Sequence, residues 1–521
     1  MFTLAHPPAG FTENPFPHYD DLLAHSPVTP QPDGSFLICR HADLNAIYRD
    51  TTLYISDKKQ AFAPKFGPGT PLYEHHTTSL VFSDPPLHTH VRRIMTGALT
   101  PKALAGMEPG LIKTVDTLLD DMPQDADLIE DFASIIPIQI IGNLLDIPLS
   151  ERAPLRDWSL AILGALEPTL TAAQLQRGHT AVSEFKAYLQ DLIARRRARP
   201  GDPETDVLTR LINGDAKGQL SEIELIQNCI FILNAGHETT TNLIGNGLAL
   251  LHDCPSQKAM LLSDLTLINT AVEEVLRLRS PNQFGNRETT AEVTIGGHVI
   301  PAGTNLHLCI GAANRDPEVF DNPTEFDITR QPNRHLAFAG GPHVCVGLTL
   351  ARMEGRIALG RFLTRYPDYI LSPGRTPGGR IRFHGYTSLP SRLMNSNAPK
   401  NWTYPPSAVK LALKQQNQPK TRHKMQRSIL TLSGIGLLLA TLTPTNVAAE
   451  AKIYPYPASA NYCPAGLQPI TISGVICCGS PNQSMTYHQA MAHPAPKRHV
   501  HRPARSARPT CLPGTKGCTE Y

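Results

Sequence analysis

The sequence predicts a mainly α-helical fold with small antiparallel β-sheets, and two kinds of pattern lead to this prediction. Apolar residues recur at helical spacing over long stretches in the middle of the chain. In addition, two short β-branched runs are joined by residues typical of hairpin turns. The helical stretches cover residues 110–122, 175–197, 221–252 and 262–278.

Both predicted hairpins contain turn residues that suit antiparallel strands. Near the start of the chain, Asp33 and Gly34 precede the apolar run Ser-Phe-Leu-Ile-Cys. An Asp-Gly pair favours the backbone twist that a tight hairpin needs. The second hairpin is clearer, because Gly296 and Gly297 separate two β-branched runs within residues 293–300.

The formal charge of the 521 residues is only +3, but it is unevenly distributed. Thirteen of the 48 Lys and Arg follow Val409, whereas only Glu450 and Glu520 of the 45 acidic residues do. Residues 1–409, the first part of the chain, therefore carry a net charge of −8, and residues 410–521 carry +11. With 41% apolar residues, the chain can bury a large core. For the first part, these values exclude disorder and a basic surface that binds nucleic acid.

The tail contains a pattern of its own. Basic residues within 420–427 precede an uncharged apolar run at 429–442, and Pro444 and small residues follow it. This order indicates a signal peptide; the alternative is a tail anchor, but the run has about 14 residues and a spanning helix needs about 20. We predict a globular domain at 1–395, a basic linker at 396–424, a signal-peptide-like segment at 425–451 and a poorly ordered Cys-, Pro- and His-rich tail at 452–521, which resembles a separate short exported protein fused in frame.

The cysteines support this division. The five in the first part have no paired spacing, as expected of reduced thiols in a cytosolic protein, and the five in the tail are crowded together. The first residues contain neither a basic nor an apolar segment of a secretion signal. We therefore expect the first part to be cytoplasmic, and the tail, if it is a separate product, to be exported.

The strongest chemical signal is the glycine-flanked loop 338–347, which places Cys345 directly before an amphipathic helix. Backbone N–H groups and the helix dipole would favour a thiolate there and lower the pKa of the thiol. Such a sulfur is a nucleophile or a metal ligand. The alternative, a buried inert cysteine, does not explain glycines that let a flat group approach the backbone.

This loop resembles the haem-binding signature of the cytochrome P-450 monooxygenases, Phe-Gly-x-Gly-x-His-x-Cys-x-Gly, with Ala339 in place of the first glycine. The resemblance implies the cytochrome P-450 fold, with haem b between the long oxygen-groove helix and the helix after the cysteine. It makes Cys345 the axial thiolate of the iron, whose electron donation favours O–O cleavage. It also implies cofactor contacts for Phe338, Gly341, His343 and Gly347.

A second signal lies in the apolar helix predicted at 221–252. Its His-Glu pair could suggest a zinc protease, but that motif needs a histidine where Thr241 stands. Close helix packing at Gly236 is the other alternative. The stretch also resembles the family's oxygen groove, Ala-Gly-x-(Glu/Asp)-Thr, in which a local helix distortion makes room for dioxygen. By this resemblance Ala235 and Gly236 leave space, and Glu238 and Thr239 deliver protons through water.

A third signal is the pair Glu274 and Arg277, spaced to share a helix face. As an exposed pair they would contribute only about 0.2–0.5 kcal/mol, and any helix can carry such a pair. In the family the Glu-x-x-Arg pair is buried next to the haem loop. We therefore assign it a structural role.

Four basic residues resemble the family's haem propionate partners, namely His88, Arg92, Arg287 and His335. His88 and Arg92 share a helix face at i and i+4. Any one of the four could equally be an ordinary surface residue. The resemblance extends from about residue 11 to 393, and its motifs occur in the family's order.

The resemblance implies an oxidoreductase that inserts one oxygen atom from dioxygen into an apolar or amphipathic small organic substrate. Asn282 and Gln283 could hold a polar end of that substrate. Electrons would come from NAD(P)H through a separate ferredoxin and ferredoxin reductase, docking where Arg92 and Arg93 add positive charge. The alternatives are a peroxide-driven peroxygenase on the same fold and a non-catalytic haem sensor or carrier.

Overall fold

Helices make up most of the chain before residue 395. The structure is a computed structural model that describes residues 2–204, 206–394, 453–455, 468–472 and 475–484. The predicted linker and signal-peptide-like segment lie outside the described residues. Within these residues the α-helices are α1 (Phe16–His25), α2 (His41–Arg49), α3 (Lys59–Phe66), α4 (Pro71–Thr78), α5 (Leu87–Ala98), α6 (Pro101–Asp121), α7 (Ile135–Leu144), α8 (Leu155–Gly164), α9 (Ala172–Ala198), α10 (Val207–Asn213), α11 (Glu222–Asp253), α12 (Pro255–Ser263), α13 (Ile268–Leu278), α14 (Ile310–Ala313) and α15 (Leu348–Arg365).

The strands of the first part are two to six residues long and form four small sheets. The largest has the order β1-β2-β8-β5-β3, and the others are β4-β12-β9, β6-β7 and β10-β11. The strands are β1 (Val28–Pro30), β2 (Phe36–Ile38), β3 (Tyr54–Ile55), β4 (Asp125–Asp127), β5 (Phe284–Thr289), β6 (Val293–Ile295), β7 (His298–Ile300), β8 (Asn305–Cys309), β9 (Ile370–Leu371), β10 (Thr376–Pro377), β11 (Tyr386–Ser388) and β12 (Pro390–Arg392).

Both predicted hairpins are present. Strands β1 and β2 pair with Val28 opposite Ile38, and β6 and β7 are joined through Gly296 and Gly297 at φ +55° and +82°. Positive φ explains the two glycines, because side chains are strained there. One pairing was not predicted: β2 and β8 run parallel, which a long intervening segment permits.

Three of the four predicted helical stretches correspond to α6, α9 and α11, and none extends more than one residue beyond its helix. The fourth, 262–278, was wrong as a single helix, because α12 ends at Ser263 and α13 begins only at Ile268. Between them, Asp264 adopts an extended conformation and its side chain accepts a hydrogen bond from Thr266 N. A side chain that bonds to the backbone in this way starts a new helix instead of continuing the old one.

Helix α11 crosses the centre of the domain. It begins with a capping box, in which Ser221 and Glu224 each bind the other's backbone N–H. Most of its side chains are buried, and it packs on α4, α7, α8, α9, α13 and α15. These helices share one large apolar core, whereas smaller cores lie beside the five-stranded sheet. Through this packing the middle of α11 lies over the loop that contains Cys345.

The tail belongs to a separate compact unit, Thr421–Tyr521. Its described residues form a three-stranded antiparallel sheet that the sequence did not predict, made of β13 (Ile453–Pro455), β14 (Gln468–Ile472) and β15 (Val475–Gly479). Among the described residues, no helix has both the length and the apolarity required to cross a membrane.

Candidate active site

A cavity of about 330 Å³ lies between the middle of α11 and the loop that contains Cys345. Its lining includes side chains from distant parts of the chain, because α5, β5 and the segment after Gly379 also reach it. The sequence-predicted residues that line it are Arg92, Ala235, Gly236, Thr239, Arg287, Phe338, His343, Cys345 and Gly347. Those outside its lining are His88, Glu238, His335, Gly341, Glu274 and Arg277.

The loop before α15 is held by backbone contacts. Cys345 N donates to Phe338 O at 3.0 Å, which closes the loop. Gly341 has φ +63°, and a Cβ there would lie 2.0 Å from Tyr48 O, so no larger residue fits without a shift. Ala339 also has a positive φ, +56°, where the family pattern has glycine. A left-handed alanine costs about 1 kcal/mol, so this chain tolerates strain at the loop.

The predicted lowering of the Cys345 pKa was wrong for the protein chain alone. Burial raises the pKa of the Cys345 thiol, against a hydrogen bond from the Gly347 N–H and the positive charges of Arg92 and Arg352. Loss of hydration outweighs these contributions because protein atoms surround most of the sulfur at the floor of the cavity. Direct coordination to a metal ion deprotonates such a thiol outright.

The face of α11 that meets the cavity carries small residues. Ala235 is exposed although its helix is buried, because it faces the cavity. Gly236 lines the cavity and also packs closely, since a Cβ there would lie 2.8 Å from Ile141 Cδ1. Thr239 Oγ1 donates to Ala235 O at 2.6 Å. The predicted distortion does not interrupt the helix, which is continuous, although a back-bonded threonine often bends one.

Glu238 does not line this cavity. It lies at a second, smaller cavity of about 200 Å³, where Arg380 Nη1 donates to both of its carboxylate oxygens at 2.7 Å. Burial raises the pKa of Glu238 to about 6, although Arg380 opposes the shift. A carboxyl with this pKa can hold or release a proton near neutral pH. Glu238 and Thr239 therefore lie on two different sides of α11.

A cluster of basic groups lies at the edge of the main cavity. The rings of His88 and His343 are 3.9 Å apart, and Ser56 Oγ is 3.2 Å from His343 Nε2. Arg287 donates from Nη1 to a backbone carbonyl, but its Nε and Nη2, and His88 Nε2, are buried and have no hydrogen-bond partner among the residues that the structure describes. Burial lowers the pKa of Arg287, and also that of Arg92. Buried nitrogens of this kind require hydrogen-bond partners, and the positive charge of Arg287 favours an anionic one.

His335, the fourth predicted propionate partner, is directed elsewhere. Its Nε2 lies 3.1 Å from Glu273 Oε2, and Arg352 binds the same carboxylate at 2.6 Å. The guanidinium of Arg352 also lies 4.8 Å from the centre of the Phe338 ring. The histidine thus helps to hold the outer side of the loop. The structure does not bring it to the basic cluster, whereas His343 does lie there.

Glu274 and Arg277 are fully buried, with both side chains at 0% exposure. Arg277 Nε and Nη2 donate to Glu274 at 2.8 Å, and Arg277 Nη1 donates to the carbonyl oxygens of Asn314 and Pro323. The pair therefore ties α13 to the irregular segment that precedes the cysteine loop.

One buried carboxyl in the cavity wall was missed in the sequence. Glu354, on α15, is 3% exposed, and its Oε2 accepts a hydrogen bond from Thr240 Oγ1 at 3.3 Å. Its Oε1 has no hydrogen-bond partner within the described part of the chain. Burial raises the pKa of Glu354 to about 8. A charged residue within the apolar pattern of α15 was the available signal.

We expect Glu354→Gln to stabilise the protein increasingly as the pH rises from 5 to 8. The pKa of Glu354 is raised in the folded state, so folding binds a proton between the unfolded and folded pKa values, and stability falls across this range. Glutamine removes this cost, which is on the order of a few kcal/mol at pH 8. The difference in Tm between variant and wild type measures it. Exposed Glu13→Gln is the control, and a difference that does not change with pH would contradict the prediction.

The two amides that could hold a polar end of a substrate differ in position. Asn282 lines the cavity, and its Oδ1 has no hydrogen-bond partner in the residues described by the structure. Gln283 does not line it, because its Nε2 donates to Ser280 O and its Oε1 lies where a Cβ on Gly311 would be.

These residues fit haem. The cavity offers a sulfur on one side and small residues on the other, which suits a flat group with an axial ligand. The unpartnered nitrogens of His88 and Arg287 suit carboxylates at its edge. Cys345 would hold the iron, and His88, Arg92, Arg287 and His343 would hold the propionates.

Comparison with known proteins gives a consistent result. Residues 162–375 match the family described as Cytochrome P450. The chain is 34% identical over 370 residues to the biotin biosynthesis cytochrome P450 of Bacillus subtilis, covering 70% of this chain and 91% of that protein. It is 36% identical over 399 residues to the monooxygenase PikC of Streptomyces venezuelae, covering 73% of this chain and 92% of PikC.

Solved structures agree in fold. P450BioI, in complex with an acyl carrier protein ligated to hexadec-9Z-enoic acid, has a TM-score of 0.69 at 32% identity and covers 74% of this chain and 99% of its own. CYP109E1 of Bacillus megaterium, in complex with testosterone, has a TM-score of 0.67 at 30% identity and covers 73% of this chain and 98% of its own.

Proposed function

Because the chain belongs to the cytochrome P450 family and is a haem-thiolate monooxygenase by that membership, we propose that it inserts one oxygen atom from dioxygen into an apolar or amphipathic small organic molecule. One observation carries the proposal: Cys345 lies across a largely apolar cavity from Ala235, Gly236 and Thr239. Relatives crystallised with a fatty acyl chain and with testosterone support this substrate class.

Each group of residues has a separate task in this proposal. Haem, when bound, supplies the binding and reduction of dioxygen, and thiolate donation favours O–O cleavage. Cys345 holds the iron, and the basic cluster neutralises the propionates. Ala235 and Gly236 keep the space above the haem open. Thr239 holds a proton at Oγ1, and Glu238, with a pKa near 6, exchanges protons with water on the other side of α11.

Electrons are proposed to come from NAD(P)H through a separate ferredoxin and its reductase. The expectation that Arg92 and Arg93 form the docking charge has little support. Arg92 lines the cavity, and Arg93 donates from Nη2 to Asp215 at 3.0 Å, with a second contact from Nε to the same carboxylate. The charge of Arg93 is therefore paired within the protein and adds little to a docking surface.

We expect Thr239→Ala to lower product formation per NADPH at least tenfold and to raise hydrogen peroxide release, because the Oγ1 proton donor is lost. The assay uses purified holoenzyme, ferredoxin, ferredoxin reductase, NADPH and dodecyl methyl ether, with ¹⁸O₂ to label the product. Thr239→Ser, which keeps a hydroxyl, is the matched control and should behave as the wild type.

The same assay tests the alternatives. Product formed by the wild type with hydrogen peroxide, but not with NADPH and the redox proteins, would favour the peroxygenase and overturn the proposal. A haem sensor or carrier would form no labelled product under either condition. It would also be unaffected by Thr239→Ala.

A further inference from the structure

A chain of hydrogen bonds leads from the surface into the cavity wall above the haem site. Lys186 Nζ lies 2.7 Å from Glu74 Oε1, and Gln227 Nε2 donates to the same oxygen at 2.6 Å. Gln227 Oε1 lies 2.9 Å from His75 Nδ1, and His75 Nε2 lies 3.2 Å from Asn234 Nδ2. The chain ends at Asn234, which lines the cavity directly before Ala235.

The direction of every bond in this chain follows from its outer end. The Glu74 carboxylate only accepts, so the amide nitrogen of Gln227 must face it and the amide oxygen must face His75. That oxygen requires a proton on His75 Nδ1. Burial lowers the pKa of His75 to about 4, so the ring is neutral and its Nε2 is a bare acceptor. The amide nitrogen of Asn234 must therefore face His75.

This order of donors and acceptors leaves the Oδ1 of Asn234 as an unused acceptor. The atom is buried and has no hydrogen-bond partner among the described residues. The amide cannot turn over to relieve it, because two acceptors would then face each other at His75 Nε2. An unpaired buried acceptor costs free energy. A donor from a bound molecule would remove this cost.

His76 lines the same cavity, but its N–H is already engaged. Its ring lies 4.9 Å from that of His75 and among the rings of Phe62, Phe66 and Phe82. Burial lowers the pKa of His76 well below its ordinary value, although a contact with the backbone carbonyl of Ile162 opposes this shift. The ring is therefore neutral, and its single N–H faces Ile162.

We propose that the substrate carries a hydroxyl group that donates to Asn234 Oδ1. The proposal rests on the proposed function, since it concerns the molecule held in that cavity. A hydroxyl is a small uncharged group that can donate to this oxygen. Apart from Ser79 and the two histidines, the neighbouring lining is apolar, so the substrate is an amphipathic alcohol with a hydrocarbon body. The apolar neighbours are Leu80, Phe82, Phe231 and Ile232.

A carboxylate fits this part of the wall less well. The Oδ1 of Asn234 repels an anion, and the neutral imidazoles do not attract one. Arg382, a cation that also lines the cavity, already donates to Asn286 Oδ1 at 2.5 Å. The carboxylate of Glu167 lies beside it and accepts its backbone N–H at 3.3 Å. The charge of Arg382 is thus balanced within the protein.

The test compares two probes of equal chain length, dodecan-1-ol and dodecyl methyl ether. Both contain an acceptor oxygen, but only the alcohol can donate. We expect the wild-type holoenzyme to bind the alcohol about tenfold more tightly by calorimetry, the value of one net hydrogen bond. Asn234→Leu should abolish this preference. His76→Phe, which keeps the aromatic packing, should retain the preference, because only donation to Asn234 distinguishes the two probes.

Asn282→Leu removes the other cavity amide and so compares the two candidate acceptors, whereas the control is Asn269→Leu, an exposed amide on α13 outside the cavity lining, which should keep the preference. Equal or absent binding of the two probes to the wild type would overturn the inference, as would loss of the preference in Asn282→Leu but not in Asn234→Leu. The ferrous carbonyl spectrum of each variant reports an intact haem-thiolate site. If the wild type lacked that spectrum, the proposed function would fail, whichever probe bound more tightly.

Discussion

Replacing Cys345 with serine is expected to abolish NADPH-driven product formation and to shift the ferrous carbonyl absorption away from that of a thiolate-ligated haem. Serine has nearly the same shape but supplies no thiolate to the iron. Loss of a residue that hydrogen-bonds to a metal ligand typically lowers metal affinity or activity 10–100-fold. Loss of the ligand itself should therefore lower activity at least about a hundredfold. Absorption spectra and the ¹⁸O₂ assay measure the two effects.

The loop itself should survive this substitution. Its closing hydrogen bond, Cys345 N to Phe338 O, uses only backbone atoms. Cys254→Ser at the end of α11 is the matched control, since Cys254 is only partly buried and lies outside the cavity lining. The assignment of the axial ligand would be wrong if Cys345→Ser kept the wild-type carbonyl spectrum, or if Cys254→Ser lost it.

Replacing Glu274 with alanine is expected to lower the free energy of unfolding by about 3–5 kcal/mol, the cost of breaking a buried ion pair from one side. The loss leaves Arg277 without its counter-ion at a site with 0% exposure. Arg330 Nε, Asn333 Nδ2 and Asp327 N also donate to this carboxylate, at 3.0–3.1 Å. Denaturant unfolding of the apoprotein and of the holoenzyme measures the effect.

A surface pair provides the comparison for this prediction. Glu130 binds Arg156 at 2.5 Å, but the two side chains are 47% and 35% exposed. Glu130→Ala should therefore cost less than about 1 kcal/mol. Because α13 is tied to the segment before the cysteine loop, Glu274→Ala should also release haem more readily. If both variants lost the same free energy of unfolding, the prediction that breaking the buried pair costs more than breaking an exposed pair would be wrong.

Local patterns predicted the elements that depend on neighbouring residues. The glycines at 296–297 predicted the second hairpin, and the apolar periodicity at 221–252 predicted α11. The fourth helical stretch failed because a single side chain, Asp264, competes with the helix for backbone bonds. Hydrophobic periodicity shows which face of a helix is apolar. It does not detect a break between two consecutive helices whose apolar faces point the same way.

The candidate site was predictable where one motif carried it. The loop at 338–347 indicated Cys345, and the structure brings this residue beneath the oxygen-groove residues of α11. His335 shows the limit of such reasoning. Its type and position resembled a propionate partner, but a nearby carboxylate, Glu273, binds it instead. Arg93 is a second case, because it resembled part of a docking surface but forms an ion pair with Asp215.

The sequence by itself determined the fold class, the haem-thiolate loop and the helix that faces it, because each depends on residues within about one turn or one short loop. Only the tertiary structure decided what the cavity wall offers to a substrate. The orientation of the Asn234 amide depends on His75, Gln227 and Glu74. Of these, His75 and Gln227 are 152 residues apart in the chain. Hydrogen bonds of this kind, and the burial that keeps the histidines neutral, arise only when distant helices pack together.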